Sequence, residues 1–282
     1  MRPPVPSLHG RLCLITGAAG GIGRATALAA ARAGARLVLT DVNGDALDAA
    51  AAELGDAAVA HRALDVTDFA AVQAFARDIH AEHGSLDVVA NVAGISTWGA
   101  VERLSHEQWR RTIDVDLMGP VHVIECFLPE MVRAGRGGQL VNVSSSAGLF
   151  GFPWHAPYSA AKFGLRGVSE VLRFDLRRHR IGVTLVCPGG VDTPMVGTLD
   201  IAGVDPDALR ASGWQKRFRR HAKSPDHVAE RILDGVVSNR YLVYTSADIR
   251  LLHLLERRVP PVYRLAMRLA NDRMVAVLEK RM

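Results

Sequence analysis

Tyr158 and Lys162 stand four residues apart in Pro157 to Arg178, a stretch whose pattern is helical, and that spacing sets both side chains on one face, a turn apart. An ammonium beside a phenol favours the phenolate. The pair is therefore expected to let Tyr158 exchange a proton near neutral pH instead of near its usual value of about 10. Just upstream, Ser144, Ser145 and Ser146 close an apolar run, and a hydroxyl delivered from that run's end can reach the same substrate oxygen. Phenol, cation and hydroxyl around one oxygen make an acid/base device. Proton exchange alone oxidises nothing, so the device calls for a redox cofactor.

The amino terminus meets that need. Arg11 to Thr16 (RLCLIT) reads as a buried strand, Gly17-Ala18-Ala19-Gly20-Gly21-Ile22-Gly23 breaks it, and alanine-rich Arg24 to Arg32 reads as a helix. Strand, glycine turn and helix in that order let a backbone approach a pyrophosphate at a helix N-terminus. The spacing, T-G-x-x-x-G-x-G, differs by one residue from G-x-G-x-x-G, and a tight turn without a ligand is the alternative. Arg36 to Thr40 is a second strand, ending in Asp41. A carboxylate there accepts hydrogen bonds from both adenine-ribose hydroxyls and repels a 2′-phosphate. Asp41 thus points to NAD over NADP, unless it only caps the next turn; Arg24 and Arg36 are nearby cations that soften the preference.

Further along, Asp45 to Leu54 is helical in pattern and Val59 to Leu64 is a third strand, closed by Asp65 and Val66 where they can touch an adenine edge. Phe69 to His83 carries apolar residues at helical spacing, and Leu86 to Asn91 is a fourth strand running into Val92-Ala93-Gly94. Trp109 to Met131 reads as one long helix holding Asp114, Asp116 and Gly119. Gln139 to Val143 and Gly182 to Cys187 are the fifth and sixth strands, the latter broken by Pro188-Gly189-Gly190. Alternating apolar strands and amphipathic helices predict βαβ units in an α/β fold: a doubly wound, Rossmann-type parallel sheet with helices on both faces. Ligands are expected in the crevice beyond the strand C-termini.

Residues 195–223 have weak periodicity and a basic-aromatic patch around Trp214 and Phe218, the pattern of a mobile flap over a substrate. Pro225 to Val237 reads as a helix capped by Ser224, and Tyr241 to Thr245 as a last strand. The expected organisation is one catalytic domain, 1–245, and a basic amphipathic helical extension, 246–282, its two segments separated by Pro260-Pro261.

Composition narrows the class. The 282 residues are 49% hydrophobic and 22% charged, which excludes wholesale disorder. No apolar run is long enough to span a bilayer, and the proline-bearing head lacks a signal-peptide core. A cytoplasmic protein is expected. Cys13, Cys126 and Cys187 lie far apart, as reduced core residues do; neither a disulfide frame nor a metal site is expected. The net charge of +5 is concentrated late, where it suits a solvated helix face, a phosphate-bearing substrate or an anionic membrane surface. Nucleic-acid binding is not expected, because aromatics do not interleave with the basic residues as a stacking platform requires.

With these residues in hand the chain resembles the short-chain dehydrogenase/reductase family over roughly Gly10 to Thr245. The resemblance rests on Thr16-Gly17-Ala18-Ala19-Gly20-Gly21-Ile22-Gly23, on Asn91-Val92-Ala93-Gly94, on Ser145 with Tyr158-x-x-x-Lys162, and on Pro188-Gly189-Gly190-Val191-Asp192-Thr193. It implies hydride transfer between a nicotinamide and a carbonyl or alcohol carbon. In that scheme Tyr158 moves the alcohol proton, Ser145 orients the substrate oxygen, and Lys162 binds the nicotinamide ribose. Val191 and Thr193 hold the carboxamide. Gly17, Gly20, Gly21, Ile22, Gly23, Asp41, Asp65, Val66, Asn91, Ala93, Gly94, Pro188 and Gly189 complete the cofactor site.

Two departures stand out. Where the family commonly has asparagine in V-N-L-x-G, this chain has Val115-Asp116-Leu117-Met118-Gly119, and an ionised aspartate accepts hydrogen bonds without donating any. Asp116 is expected to pair with Lys162 and weaken its pull on Tyr158, or to sit protonated, leaving a proton relay with shifted pH dependence. The second is the tail, which reads as a subunit-contact helix, a lid over a lipophilic substrate, or a membrane-surface anchor. The expected function is an NAD-dependent oxidoreductase of a hydrophobic, steroid-like or lipid-like secondary alcohol or ketone, assembled as a homo-oligomer (dimer or tetramer). An NADP-dependent ketoreductase and a turnover-deficient dinucleotide sensor are the rival readings.

Overall fold

Strands that are apolar on both faces are stable only where helices cover both sides of the sheet. Leu12–Thr16 (β1), Val88–Asn91 (β4) and Gly138–Val143 (β6) are buried along their whole length, and Arg36–Asp41 (β2) and Ile181–Cys187 (β7) nearly so. The chain is described by a computed structural model covering residues 4–204 and 213–278. With Ala58–Ala63 (β3) and Leu242–Tyr244 (β9) these strands form a seven-stranded sheet in the order β3-β2-β1-β4-β6-β7-β9, parallel throughout. The order reverses between β1 and β4, so strand ends part there and open a crevice.

One face packs against Gly21–Arg32 (α1), Gly44–Leu54 (α2) and Pro225–Val237 (α8), through Ala27, Ala30, Leu47, Val228 and Ile232. The other packs against Phe69–His83 (α3) and Gly119–Ala134 (α5), through Phe75, Ile79, Phe127 and Met131. Every strand points its C-terminus to one edge, where the motif residues gather.

Three expectations change in detail. The helix predicted from Trp109 to Met131 is three pieces: His106–Ile113 (α4), a wide π turn at Asp114–Met118, and α5. Continuous apolar periodicity hides such a turn, because it adds one residue without interrupting the helix. Of the expected flap, 195–223, residues 205–212 lie outside the described residues, and the described parts on either side hold short regular elements. Its Asp200–Ile201 (β8) pairs in parallel with Thr97–Trp98 (β5), and Trp214–His221 (α7) is helical. Gln108 bridges to both Asp200 carboxylate oxygens at 3.0 and 2.9 Å, fastening that segment to α4. In the tail, Ala247–Arg258 (α9) is followed at once by Pro260–Leu278 (α10). Pro260 and Pro261 open the second helix, where a missing N–H costs nothing.

Cys13 and Cys187 are buried in strands, and burial pushes both thiols up to about 12, which leaves them inert. No helix among the described residues is long and apolar enough to cross a membrane.

Candidate active site

The end of β6 and the first turns of Ala156–Asp175 (α6) build the chemical centre. Past β6 the backbone is stitched to the neighbouring strand's end, Ser144 N–H donating to Val186 O at 2.8 Å and Ser146 N–H to Pro188 O at 2.7 Å. The three serines then separate by role. The Ser144 hydroxyl donates to Lys162 O at 3.0 Å and is a structural tie, and Ser146 opens a short 3-10 turn. The Ser145 side chain is hydrogen-bonded to the Tyr158 phenol and accepts from Ala147 N–H at 3.1 Å.

On α6, Lys162 Nζ lies 5.6 Å from the Tyr158 ring centroid, as the one-turn spacing predicts. It donates to Val143 O at 3.3 Å and stands 3.6 Å from Asp116 Oδ1. The electrostatic expectation needs correcting here. Burial holds the phenol above its ordinary value; Lys162 pulls it down, Asp116 pushes it up, and the Ser145 hydrogen bond favours the phenolate. In the protein alone desolvation wins, because the ring is enclosed and Lys162 already has an anionic neighbour.

Asp116 sits on the inner side of the π turn and is wholly buried. Its Oδ1 accepts Ile95 N–H at 2.9 Å, and Oδ2 has no hydrogen-bond partner. Burial raises this carboxyl's pKa and the Lys162 ammonium opposes the rise. Gly94 makes room for the pair: a Cβ there would come within 2.7 Å of Asp116 Oδ1 and 3.3 Å of Lys162 Nζ.

The glycine turn lies at the other end of the same cavity. Gly17 has φ +67°, and a Cβ on it would strike Ala93 Cα at 2.8 Å; one on Gly23 would stand 1.9 Å from Gly17 O. Thr16 Oγ1 accepts both Val92 N–H and Ala93 N–H, at 3.0 and 3.1 Å, and so ties the glycine turn to the Val92-Ala93-Gly94 turn. The sequence places Thr16 in the glycine motif without a role of its own, because its hydroxyl reveals its partners only in the fold.

The N-terminus of α1 has no side-chain cap and no acidic residue in its first turn. Uncapped N–H groups at the positive end of a helix suit a phosphate. At the end of β2, Asp41 Oδ2 accepts Ala19 N–H and Oδ1 accepts Asn43 N–H, both at 3.0 Å, so the carboxylate braces the glycine loop as well as facing the cavity. Of the cations expected to soften its preference, one is engaged and one is distant. Arg24 is paired with Glu53, and Arg36 begins the strand that Asp41 ends, roughly 16 Å away at the strand rise per residue.

The cavity has a volume of about 790 Å³ and runs from Gly20 and Gly21, past Asp41, Asp65 and Val66, to Ser145, Tyr158 and Pro188. Gly17, Ile22, Gly23, Ala93, Gly94, Lys162, Gly189, Val191 and Thr193 also line it. A bare glycine floor, an uncapped helix end and a terminal carboxylate fit a dinucleotide. Asn91 is the exception. It is buried beneath the wall and donates to Asn142 Oδ1 at 2.9 Å; Asn142 donates to Ser169 Oγ at 2.9 Å. That network joins β4, β6 and α6 under the site, and burial away from the cavity is why Asn91 does not line it.

The substrate end is aromatic and apolar, with Trp98, Phe152, His155, Leu199, Phe218 and Met274 on its wall. Met274 comes from α10, and Tyr263 of the same helix donates to Gly151 O at 2.7 Å and packs edge-on against Phe150. The tail therefore walls the pocket. Trp98, His155 and Met274 were not legible as site residues, except that His155 precedes Tyr158 by three positions, just ahead of the helix that carries it. Among the described residues no cluster of His, Cys, Asp or Glu could hold a metal ion.

Comparison with known proteins agrees with this geometry. The family model for short chain dehydrogenase matches residues 11–202. SadH of Mycobacterium tuberculosis is 35% identical over 255 residues, 89% of this chain and 91% of its own. D-threitol dehydrogenase of Mycolicibacterium smegmatis is 39% identical over 224 residues, 79% of this chain and 84% of its own. A short chain dehydrogenase/reductase from Burkholderia phymatum, solved in complex with NAD, superposes with a TM-score of 0.79 at 29% identity, covering 89% of this chain and 95% of that one.

Proposed function

The chain belongs to the short-chain dehydrogenase family of oxidoreductases acting on CH–OH groups, and we propose that it transfers a hydride between NAD and the carbinol carbon of a hydrophobic secondary alcohol or ketone. One observation carries the reading: Ser145, Tyr158 and Lys162 meet in the same cavity whose far end is an uncapped helix N-terminus beside Asp41. Bound NAD supplies the hydride acceptor in oxidation and, once reduced, the donor in the reverse direction. The protein's own groups do the rest. Ser145 holds the substrate oxygen against the Tyr158 hydroxyl. Tyr158 accepts the alcohol proton during oxidation and returns it during reduction. Lys162 favours the phenolate, while Asp116, sharing that cation, moderates the effect.

The glycine turn would hold the pyrophosphate, Asp41 the adenine ribose, Asp65 and Val66 the adenine edge, Lys162 and Tyr158 the nicotinamide ribose, and Val191 with Thr193 the carboxamide. The choice of NAD over NADP is supported by Asp41, which has no unpaired arginine beside it among the described residues to welcome a 2′-phosphate. A lipophilic substrate is supported by the apolar wall of Phe152, Leu199, Phe218 and Met274.

Assembly as a homo-oligomer is supported by Phe163, Val171 and Phe174, which α6 leaves exposed on its outer side. Peripheral contact with an anionic membrane is supported by the tail, whose exposed Leu251, Leu254, Leu265 and Leu269 are interspersed with Arg250, Arg257, Arg264 and Arg268.

A screen of apolar secondary alcohols, read by the absorbance of reduced nicotinamide with NAD and NADP in parallel, tests the reading. Turnover with NAD is expected; turnover of none, or with NADP alone, would overturn it.

A further inference from the structure

His155 opens the turn that carries Tyr158 and belongs to the substrate wall. Its Nδ1 stands 2.7 Å from Pro153 O. A carbonyl only accepts, so Nδ1 carries the hydrogen and Nε2 of the neutral ring keeps a lone pair. Burial disfavours the imidazolium and so preserves that lone pair. No protein group among the described residues occupies Nε2.

The ring is held from several sides. Trp98 packs on it with centroids 4.3 Å apart, and Phe152 lies 5.7 Å away. Trp98 is itself fixed: Nε1 donates to Ser96 Oγ at 2.8 Å, its carbonyl accepts Ala202 N–H at 2.8 Å, and its backbone pairs with β8. Trp154, next to His155, adopts φ +68°, a strained conformation for a bulky residue. Its carbonyl accepts Gly99 N–H at 2.8 Å, and the strand-pair cluster of Ile201, Val204 and Leu199 packs around its ring. Strain persists only where the surroundings over-determine it, and here it fixes the loop that aims His155. An apolar pocket thus carries one fixed, neutral hydrogen-bond acceptor on a flat aromatic wall, the arrangement that sets ligand orientation and specificity.

We propose that His155 determines substrate specificity by accepting, at Nε2, a hydrogen bond from a hydroxyl remote from the reacting carbinol. The substrate class is then an aryl or similarly flat secondary alcohol that carries a second hydroxyl. This inference rests on the hydride-transfer reading for the location of the substrate, and adds the chemistry of its far end.

Kinetics on 1-phenylethanol and its 3-hydroxyphenyl and 4-hydroxyphenyl counterparts test it, together with tryptophan-fluorescence titration of the same three ligands. At least one hydroxylated alcohol is expected to show a KM about three- to tenfold below that of 1-phenylethanol, with kcat little changed, the value of one hydrogen bond to a half-buried neutral acceptor. His155→Phe keeps a flat ring against Trp98 and should bring the KM ratio to about one; His155→Gln, which retains an acceptor, should keep part of the preference. Equal KM values in the parent, or a preference that survives in His155→Phe, would overturn the proposal. Titration separates the two readings. A hydroxyl preference in binding without oxidation of any alcohol keeps the His155 role and sinks hydride transfer. Oxidation without preference does the reverse, and neither binding nor oxidation sinks both.

Discussion

At the scale of single residues, the chemistry turns on two opposite charges packed beside one phenol. Tyr158 is raised by burial, and Asp116 adds to that rise while Lys162 opposes it. Removing the Asp116 charge should therefore lower the phenol's pKa. Alcohol oxidation needs the phenolate, so its rate climbs as pH rises through that value. In Asp116→Asn the rising limb of the pH–rate profile should move to lower pH; superimposable profiles would deny Asp116 any electrostatic role. Asp41 governs the other end of the cleft. Asp41→Ala removes the like charge facing a 2′-phosphate and should raise the NADP-to-NAD ratio of kcat/KM about tenfold or more, measured on one alcohol. The Tyr158–Lys162 geometry was legible because a helix turns neighbouring positions into neighbouring side chains. The sign of the phenol's shift was not, because desolvation depends on everything packed around the ring. His155 was hidden for a related reason: its value as an acceptor is set by a carbonyl two residues back, which no spacing rule reports.

Elements position those groups, and the long ones were readable. The parallel strands and their covering helices follow from apolar runs alternating with helical periodicity, and the Ser224 cap appears where the sequence puts it, accepting His227 N–H at 3.1 Å. The short ones were not. Two-residue strands at 97–98 and 200–201 carry no periodic signal, and the π turn leaves the helical pattern unbroken while turning Asp116 toward Lys162. The tail is the element whose role the fold clarifies most, since α10 brings Met274 to the pocket and Tyr263 to Gly151. A variant ending at Arg258 loses both contacts. Its KM for a bulky apolar alcohol should rise about tenfold, in line with losing one buried apolar side chain, while its KM for a small alcohol changes little. The same variant should sediment less with anionic phosphatidylserine vesicles than the full chain; equal sedimentation would remove the helix from any lipid contact.

At the scale of the whole molecule, one topological fact gathers the site. Parallel strands in the order β3-β2-β1-β4-β6-β7-β9 send every motif-bearing turn to one edge, and the reversal beside β1 opens the cleft there. That is why motifs scattered from Gly17 to Thr193 line a single cavity, and why a list of them in chain order already implied a site. The proposed subunit contact would lie on the outer surface instead, at exposed residues such as Phe174, and has no comparable pattern in the sequence. The central claim is that a protein phenol moves the proton while a bound nicotinamide takes the hydride. Tyr158→Phe tests it most directly, with hydride transfer followed by reduced-nicotinamide absorbance and NADH affinity measured on the same samples. The expected result is a rate at least about a hundredfold lower, with NADH affinity within about threefold of the parent. An undiminished rate with affinity intact would contradict the account.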